Sequence, residues 1–275
     1  MNSIFLKRVL ELYILEDSFF SDITTEAIGS GKPALGRIKA KDNLILAGSI
    51  FIKPLFEISG KPFIVEIYKN DGEMVEKGET IAKIEAEDRT ILTLERVCLN
   101  MLQRLSGIAT KTKELSDLIK DYRAKIVDTR KTTPGFRFFE KYAVRVGGGT
   151  NHRFGLFDAV LIKDNHIKVA GSVKSAIEMA RSNAPFTMKF EVECESKDMV
   201  YQAIESGADI VMLDNMPVNE MKKIVEKYKR KVIFEASGNI DESNIVKVAK
   251  TGVDFISLGG LTHHACWVDI NMKLE

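Results

Sequence analysis

From Lys125 onward one kind of unit recurs: a short apolar run rich in Val and Ile, a polar tip, then a stretch with helical spacing. Alternation of this kind predicts a parallel sheet covered by helices, because two parallel strands need a crossover long enough to hold a helix. The strand candidates are KIVDTR (Lys125–Arg130), AVRVGG, AVLIKD, KFEVEC, IVMLDN, VIFEAS and FISLGG, seven in all. Seven such units predict an α/β barrel. The segments between them agree. Val173, Ala176, Ile177 and Ala180 fall at i, i+3, i+4 and i+7, as do Met221, Ile224, Val225 and Tyr228, so each segment has one apolar face to lay on the sheet. Gly207 and Gly252 follow periodic stretches where a left-handed C-terminal cap is favoured.

The first hundred residues have another texture, with alternating strands such as IVEIYK (Ile64–Lys69) and the turn-rich NDGEMVEKGE. They predict a separate domain. It closes on a long helix in which Leu94, Val97, Cys98, Met101, Leu102 and Leu105 form one apolar stripe. At 100° per residue Arg96, Asn100 and Gln103 face the other way, and from this pattern alone they are a solvated face. The boundary is expected at 107/108.

Composition removes several functions. A net charge of +1 argues against nucleic acid or an anionic membrane surface as partner, since either needs a basic excess. Cys98, Cys194 and Cys266 are far apart, odd in number and without CxxC spacing, which points to a reducing compartment, the cytoplasm, and away from a zinc site. The helix-like stretch Ile4–Leu15 is broken by Lys7, Arg8 and Glu11, so neither a membrane span nor a targeting segment is expected.

In parallel α/β barrels the chemistry sits at the C-terminal ends of the strands. Here those ends are charged. The first run closes on Asp128, Thr129, Arg130 and Lys131; the second leads into Gly147–Arg153, with His152 and Arg153; the third ends at Lys163–His166. The fourth closes near Glu193, the fifth on Asp214 and Asn215, the sixth on Glu235, Ser237 and Gly238, and the last on Gly259 and Gly260. Arg130, Lys131, Arg153 and Lys163 on one rim would repel one another unless an anion lay between them. Ser237-Gly238 and Gly259-Gly260 end the last two strands, where barrels hold phosphate through backbone N–H groups, although a Gly-Gly pair also marks an ordinary tight turn. Glu193 and Asp214 suit sugar hydroxyls or Mg²⁺, and equally suit neutralising Lys163. The residues thus predict a barrel mouth for an anionic, phosphate-bearing ligand.

The run DTRKTTPGFRFFEKYAVRVGGGTNHRFGLFDAVLIKDNH, Asp128 to His166, closely resembles the signature of the quinolinate phosphoribosyltransferases. EDSFFSDITTEAI, LERVCLNMLQRLSGIAT, EVECES, VMLDN, FEASG and SLGGLTH extend the resemblance over nearly the whole chain. It implies an N-terminal open α/β sandwich (1–107, with 261–275 returning to it) and a seven-stranded incomplete α/β barrel (108–260). It also implies a homodimer in which Arg96 reaches the partner's site. By the same resemblance, Arg96, Thr129, Arg130, His152, Arg153 and Lys163 line a quinolinate pocket. Lys131 and Lys163 lie toward phosphoribosyl pyrophosphate, and Glu193 and Asp214 toward its ribose and Mg²⁺. Ser237, Gly238, Asn239, Leu258, Gly259 and Gly260 lie toward its phosphate. The implied reaction gives nicotinate mononucleotide, CO₂ and pyrophosphate for NAD biosynthesis, with Lys131, Lys163, Glu193 and Asp214 as the catalytic group.

Two positions depart from the pattern. Asn239 stands where a second glycine is common, and Asn tolerates the left-handed conformation better than most residues. His264 doubles a histidine that is usually single; with Cys266 it lacks the spaced third ligand that a metal site needs. His166 is expected to be a structural strand-end residue. A related barrel protein of molybdate transport systems shares the fold, but Lys163–His166 favours quinolinate. A Schiff-base role for Lys163 would want a desolvated lysine, not a crowd of arginines. Val65–Thr90 resembles a biotinyl or lipoyl carrier half-barrel, with Asp88 where the modified lysine would stand.

Overall fold

The computed structural model describes residues 3–275, and they form two compact units. One runs to Lys111 and takes back Ala265–Glu275; the other is Thr112–His264. The seams lie within about one helical turn of the expected 107/108 and 260/261.

In the first unit the strands are β1 (Pro33–Ala40), β2 (Leu44–Ile45), β3 (Phe63–Ile67), β4 (Met74–Val75) and β5 (Thr80–Glu87). β5 pairs antiparallel with β1 on one side and β3 on the other, and β2 pairs with β4 in a small separate ribbon. The helix Asp88–Leu118 follows β5 directly. Its stripe Leu94, Val97, Cys98, Met101, Leu102 and Leu105 is buried, and Arg96 and Asn100 are exposed, as the spacing requires. Burying each large aliphatic side chain of that stripe contributes about 1.5–3 kcal/mol. Asp88 opens this helix and accepts hydrogen bonds from the backbone N–H groups of Ser30 and Gly31. The position that would carry a prosthetic group is therefore a helix start and not the tip of a hairpin.

The second unit holds β6 (Lys125–Val127), β7 (Val160–Ile162), β8 (Phe190–Cys194), β9 (Ile210–Asp214), β10 (Ile233–Ser237) and β11 (Phe255–Ser257). All pairings are parallel, in the order β6-β11-β10-β9-β8-β7, so the last strand closes back on the first. The expected strand AVRVGG is instead the end of a helix, Arg137–Val146, capped by Gly147. Its alternating Val-Arg-Val loses to helical spacing, because Phe139 and Glu140 stack one turn from Ala143 and Val144, and all four are buried. The seventh place is held by one residue. Thr150 bridges to Val127 in parallel, donating its N–H to Ile126 O at 2.8 Å and accepting from Asp128 N at 3.2 Å. The barrel is incomplete between Thr150 and β7.

The helices Val173–Asn183 and Val218–Tyr228 bury Val173, Ala176 and Ile177, and Met221, Ile224 and Val225, as their spacing predicts. Gly207 (φ 84°) and Gly252 (φ 87°) take the left-handed conformation after their helices. A last strand, β12 (Ile270–Leu274), belongs to the first unit and pairs antiparallel with β1. Among the described residues no helix is long and apolar enough to cross a membrane.

Candidate active site

Every barrel strand points its C-terminal end into one cavity of ≈ 630 Å³. It is lined by Thr129, Arg130 and Lys131 after β6, His152 and Arg153 after the Thr150 bridge, Lys163 after β7, Glu193 on β8 and Asp214 on β9. Ser237, Gly238 and Asn239 after β10, and Leu258, Gly259 and Gly260 after β11, complete the rim. Arg96 is the one expected site residue outside this lining; it is an exposed residue of the first unit's long helix.

The mouth is tied together from beneath by a buried ionic network. Asp128, fully buried, accepts from Lys141 Nζ at 2.5 Å, Asn151 Nδ2 at 2.5 Å and the His152 amide at 2.9 Å. Lys141 Nζ also donates to His152 O at 3.0 Å. This joins the residue before Thr129-Arg130-Lys131 to the loop that carries His152 and Arg153. Burial pushes the Asp128 carboxyl up and the Lys141 ammonium down, each opposed by the other's charge.

The cations divide into a paired one and three unpaired ones. Lys163 Nζ donates to Glu193 Oε2 at 2.5 Å, which realises the neutralising role open to Glu193. Arg130, Lys131 and Arg153 have no carboxylate within ion-pair distance among the described residues. The buried Nε of Arg130 has no hydrogen-bond acceptor. Arg153 donates to Ala159 O at 3.0 Å, and its pKa is lowered by burial and by the charge of Arg130. Two arginines forced together with donor capacity unused call for an anion, and their planar forks suit carboxylates.

On the opposite side the backbone is shaped for close approach. Gly238 (φ 92°) and Asn239 (φ 50°) are both left-handed, so asparagine fills the glycine position in the conformation expected of it. A Cβ on Gly238 would lie 2.3 Å from Asn215 Oδ1. Asn239 Nδ2 donates to Asn215 Oδ1 at 2.9 Å, and Asn215 Nδ2 donates to Asp214 Oδ2 at 2.8 Å. Gly259 has an ordinary φ of −62°, but a Cβ there would meet His263 Nε2 at 2.8 Å and Lys131 Cδ at 3.0 Å. Thr262 Oγ1 donates to Lys131 O at 2.7 Å and pins that lysine's backbone beside the glycines. His166 is structural, its Nδ1 accepting the Lys163 N–H at 2.9 Å.

Below the rim His152 and Glu235, both named from the sequence, meet Glu191, which the sequence did not flag. His152 Nε2 sits 3.1 Å from Glu191 Oε2 and 3.4 Å from Glu235 Oε2, with both carboxylates buried. Burial opposes charge on the ring, but the hydrogen bonds it donates to the two carboxylates, with their charges, outweigh it and push His152 up to about 10. Burial likewise raises Glu191, so this titration belongs to the cluster and not to the ring alone. Glu193, Met212 and Glu235 stand in register across β8, β9 and β10, and Glu191 shares the inward face of β8 with Glu193 two residues earlier. A charged residue inside an apolar strand, at even spacing from a site carboxylate, is the signal that would have found Glu191.

An incomplete α/β barrel whose mouth joins unpaired arginines to a glycine-lined backbone cradle is an enzyme form for an anionic, phosphate-bearing substrate. Family comparison narrows this. The C-terminal domain of quinolinate phosphoribosyl transferase matches residues 108–273, and its N-terminal domain matches residues 22–106. The chain belongs to that family. A probable nicotinate-nucleotide pyrophosphorylase (carboxylating) of Bacillus subtilis is 43% identical, covering 100% of this chain and 95% of the relative. A mitochondrial quinolinate phosphoribosyltransferase (decarboxylating) of Nicotiana glauca is 37% identical, covering 98% of this chain and 82% of the relative. The crystal structure of NadC from Streptococcus pyogenes, 39% identical, superposes with a TM-score of 0.95 and covers 100% of this chain and 98% of that one.

Proposed function

We propose that this protein transfers the phosphoribosyl group of phosphoribosyl pyrophosphate to quinolinate with decarboxylation, giving nicotinate mononucleotide, CO₂ and pyrophosphate in NAD biosynthesis. The observation that carries this reading is the pair Arg130 and Arg153, crowded together with the buried Arg130 Nε unpaired. Such a pair awaits a planar dianion, and quinolinate brings two adjacent ring carboxylates. Lys131, held beside Gly259, lies toward the diphosphate that leaves from the sugar's anomeric carbon. Lys163 and Glu193 act as a unit: the carboxylate fixes the ammonium at the mouth and is itself available to ribose hydroxyls. Asp214, one oxygen engaged by Asn215, offers the other to the ribose or a cation.

Mg²⁺ fits this donor set, because Glu193 and Asp214 are hard oxygen ligands on the cavity wall and the ion would be shared with substrate phosphates. When bound it would supply neutralisation of the departing pyrophosphate. The protein's own residues supply the rest. Arg130 and Arg153 orient the ring, the carboxylates offset positive charge on the sugar, and burial of one ring carboxylate away from donors favours its loss once the nitrogen is quaternised.

The working form in this reading is a homodimer or an assembly of dimers, with Arg96 offered to the partner's site, and the compartment is the cytoplasm, in keeping with three free cysteines. Incubating the purified protein with quinolinate, phosphoribosyl pyrophosphate and Mg²⁺, with nicotinate as the control acid, tests the reaction. Nicotinate mononucleotide and CO₂ from quinolinate alone are expected. No product from either acid would leave the fold intact and remove the activity.

A further inference from the structure

Asp214 ends β9 and Asn239 follows the end of β10, and a relay of two side-chain amides joins them across the cavity wall. The Asp214 carboxylate can only accept, so Asn215 turns its NH₂ toward Asp214 Oδ2, at 2.8 Å, which leaves Asn215 Oδ1 as an acceptor on the other side. Asn239 Nδ2 donates to that oxygen at 2.9 Å. The direction of the relay is thus set at its charged end, and Asn239 is the donor that completes it.

The backbone holds this arrangement. Asn215 (φ 52°), Gly238 (φ 92°) and Asn239 (φ 50°) are all left-handed, a conformation that glycine and asparagine adopt at least cost. Asn215 N donates to Ser237 O at 2.9 Å and ties the two strand ends together. The Asn215 side chain then lies flat over Gly238, where a Cβ would come within 2.6 Å of its Oδ1, Cγ and Nδ2 alike. Asn244 Nδ2 donates to Asn239 O at 2.8 Å and fixes the far side of the turn. Glycine at 238 is therefore required by the Asn215 amide itself. A glycine at 239 would keep the backbone and lose only the donor.

We propose that Asn239 is a positioning residue for the ribose side of phosphoribosyl pyrophosphate, acting through Asn215 to hold the Asp214 carboxylate with Oδ2 engaged and Oδ1 turned to the ligand. This rests on reading the mouth as a phosphoribosyl site. The Asn239 amide is turned to Asn215, so it couples the turn after β10 to the carboxylate on β9. Without its donor the Asn215 amide and the carboxylate it orients rotate more freely, and the ligand must order both when it binds.

Asn215→Gly, Asn239→Gly and the double variant test this, because each glycine keeps a left-handed backbone. Calorimetric titration of the full-length protein with phosphoribosyl pyrophosphate in Mg²⁺ should show Kd raised about 10-fold by Asn215→Gly, which loses a bond to a charge. Asn239→Gly loses a neutral one and should raise Kd about 3-fold. The double variant should bind no more weakly than Asn215→Gly, since Asn239 then has nothing to act through. Quinolinate titrated alone should keep its native affinity in all three, because Arg130 and Arg153 lie outside the relay, whereas general damage to the mouth would weaken both ligands. Native phosphoribosyl pyrophosphate affinity in Asn239→Gly, additive losses in the double variant, or a parallel loss of quinolinate affinity overturns the proposal. If Asn215→Gly does not fold, Asp214→Ala replaces it in the cycle and must likewise abolish the effect of Asn239→Gly. Failure of the native protein to bind phosphoribosyl pyrophosphate would instead refute the reading of the site.

Discussion

Asp128→Asn tests the ionic network beneath the mouth most directly. The side chains of Asp128 and Lys141 are 0% and 1% exposed and their charged atoms are 2.5 Å apart. The amide leaves the Lys141 ammonium without its counter-charge and puts an NH₂ where one oxygen accepted, facing either Asn151 Nδ2 or both Lys141 Nζ and the His152 N–H. Stranding one charge of a buried pair costs about 3–5 kcal/mol. For a barrel of this size each kcal/mol lowers Tm by roughly 2–4 °C, so the variant should melt roughly 6–20 °C below the native protein. Burial already works against both native charges, so the pair itself stabilises less than the single substitution costs. The double variant Asp128→Asn/Lys141→Met should therefore be more stable than Asp128→Asn alone. Urea unfolding of the native protein, both single variants and the double variant measures the coupling directly. A loss below about 1 kcal/mol for Asp128→Asn, or strictly additive losses, would refute the reasoning.

Arg130→Ala or Arg153→Ala should weaken quinolinate binding by about 1.5–3 kcal/mol per charged hydrogen bond lost, read by titration calorimetry; near-native affinity would end the carboxylate assignment. Gly259→Ala places a Cβ against His263 and Lys131 without straining a backbone at φ −62°, so kcat/KM for phosphoribosyl pyrophosphate should fall roughly 10- to 100-fold while Tm stays near native. The cluster around His152 should make stability depend on pH. An unfolded histidine releases its proton near 6.5, whereas the folded cluster keeps one to about 10. The native state then binds more protons in that window, so this contribution is complete below pH 6.5 and is lost as pH rises toward 10. Urea midpoints at pH 7 and pH 9 should show the stability gap between native protein and His152→Gln shrinking at the higher pH; an unchanged gap contradicts the assignment.

The sequence by itself determined the layered order of this protein. Short apolar runs alternating with i, i+3, i+4 faces require a parallel sheet under helices, and polar strand ends name Arg130, Arg153, Lys163, Glu193 and Asp214 as rim residues because where an apolar run ends is a local feature. The left-handed Asn239 and the buried stripe Leu94–Leu105 were legible for the same reason. What tertiary structure decided were the competitions between local signals and the meetings of distant residues. AVRVGG carries both a strand and a helix pattern, and only the packing of Phe139, Ala143 and Val144 selects the helix and leaves Thr150 to hold the seventh place. Whether Glu193 faces a ligand or Lys163 depended on a 2.5 Å contact across 30 residues. The buried grouping of Asp128 with Lys141 spans one strand and the helix after it, and that of His152 with Glu191 and Glu235 joins three different βα units. No single segment encodes them, because a burial cost and its compensating partner become visible only when the barrel brings both to one place.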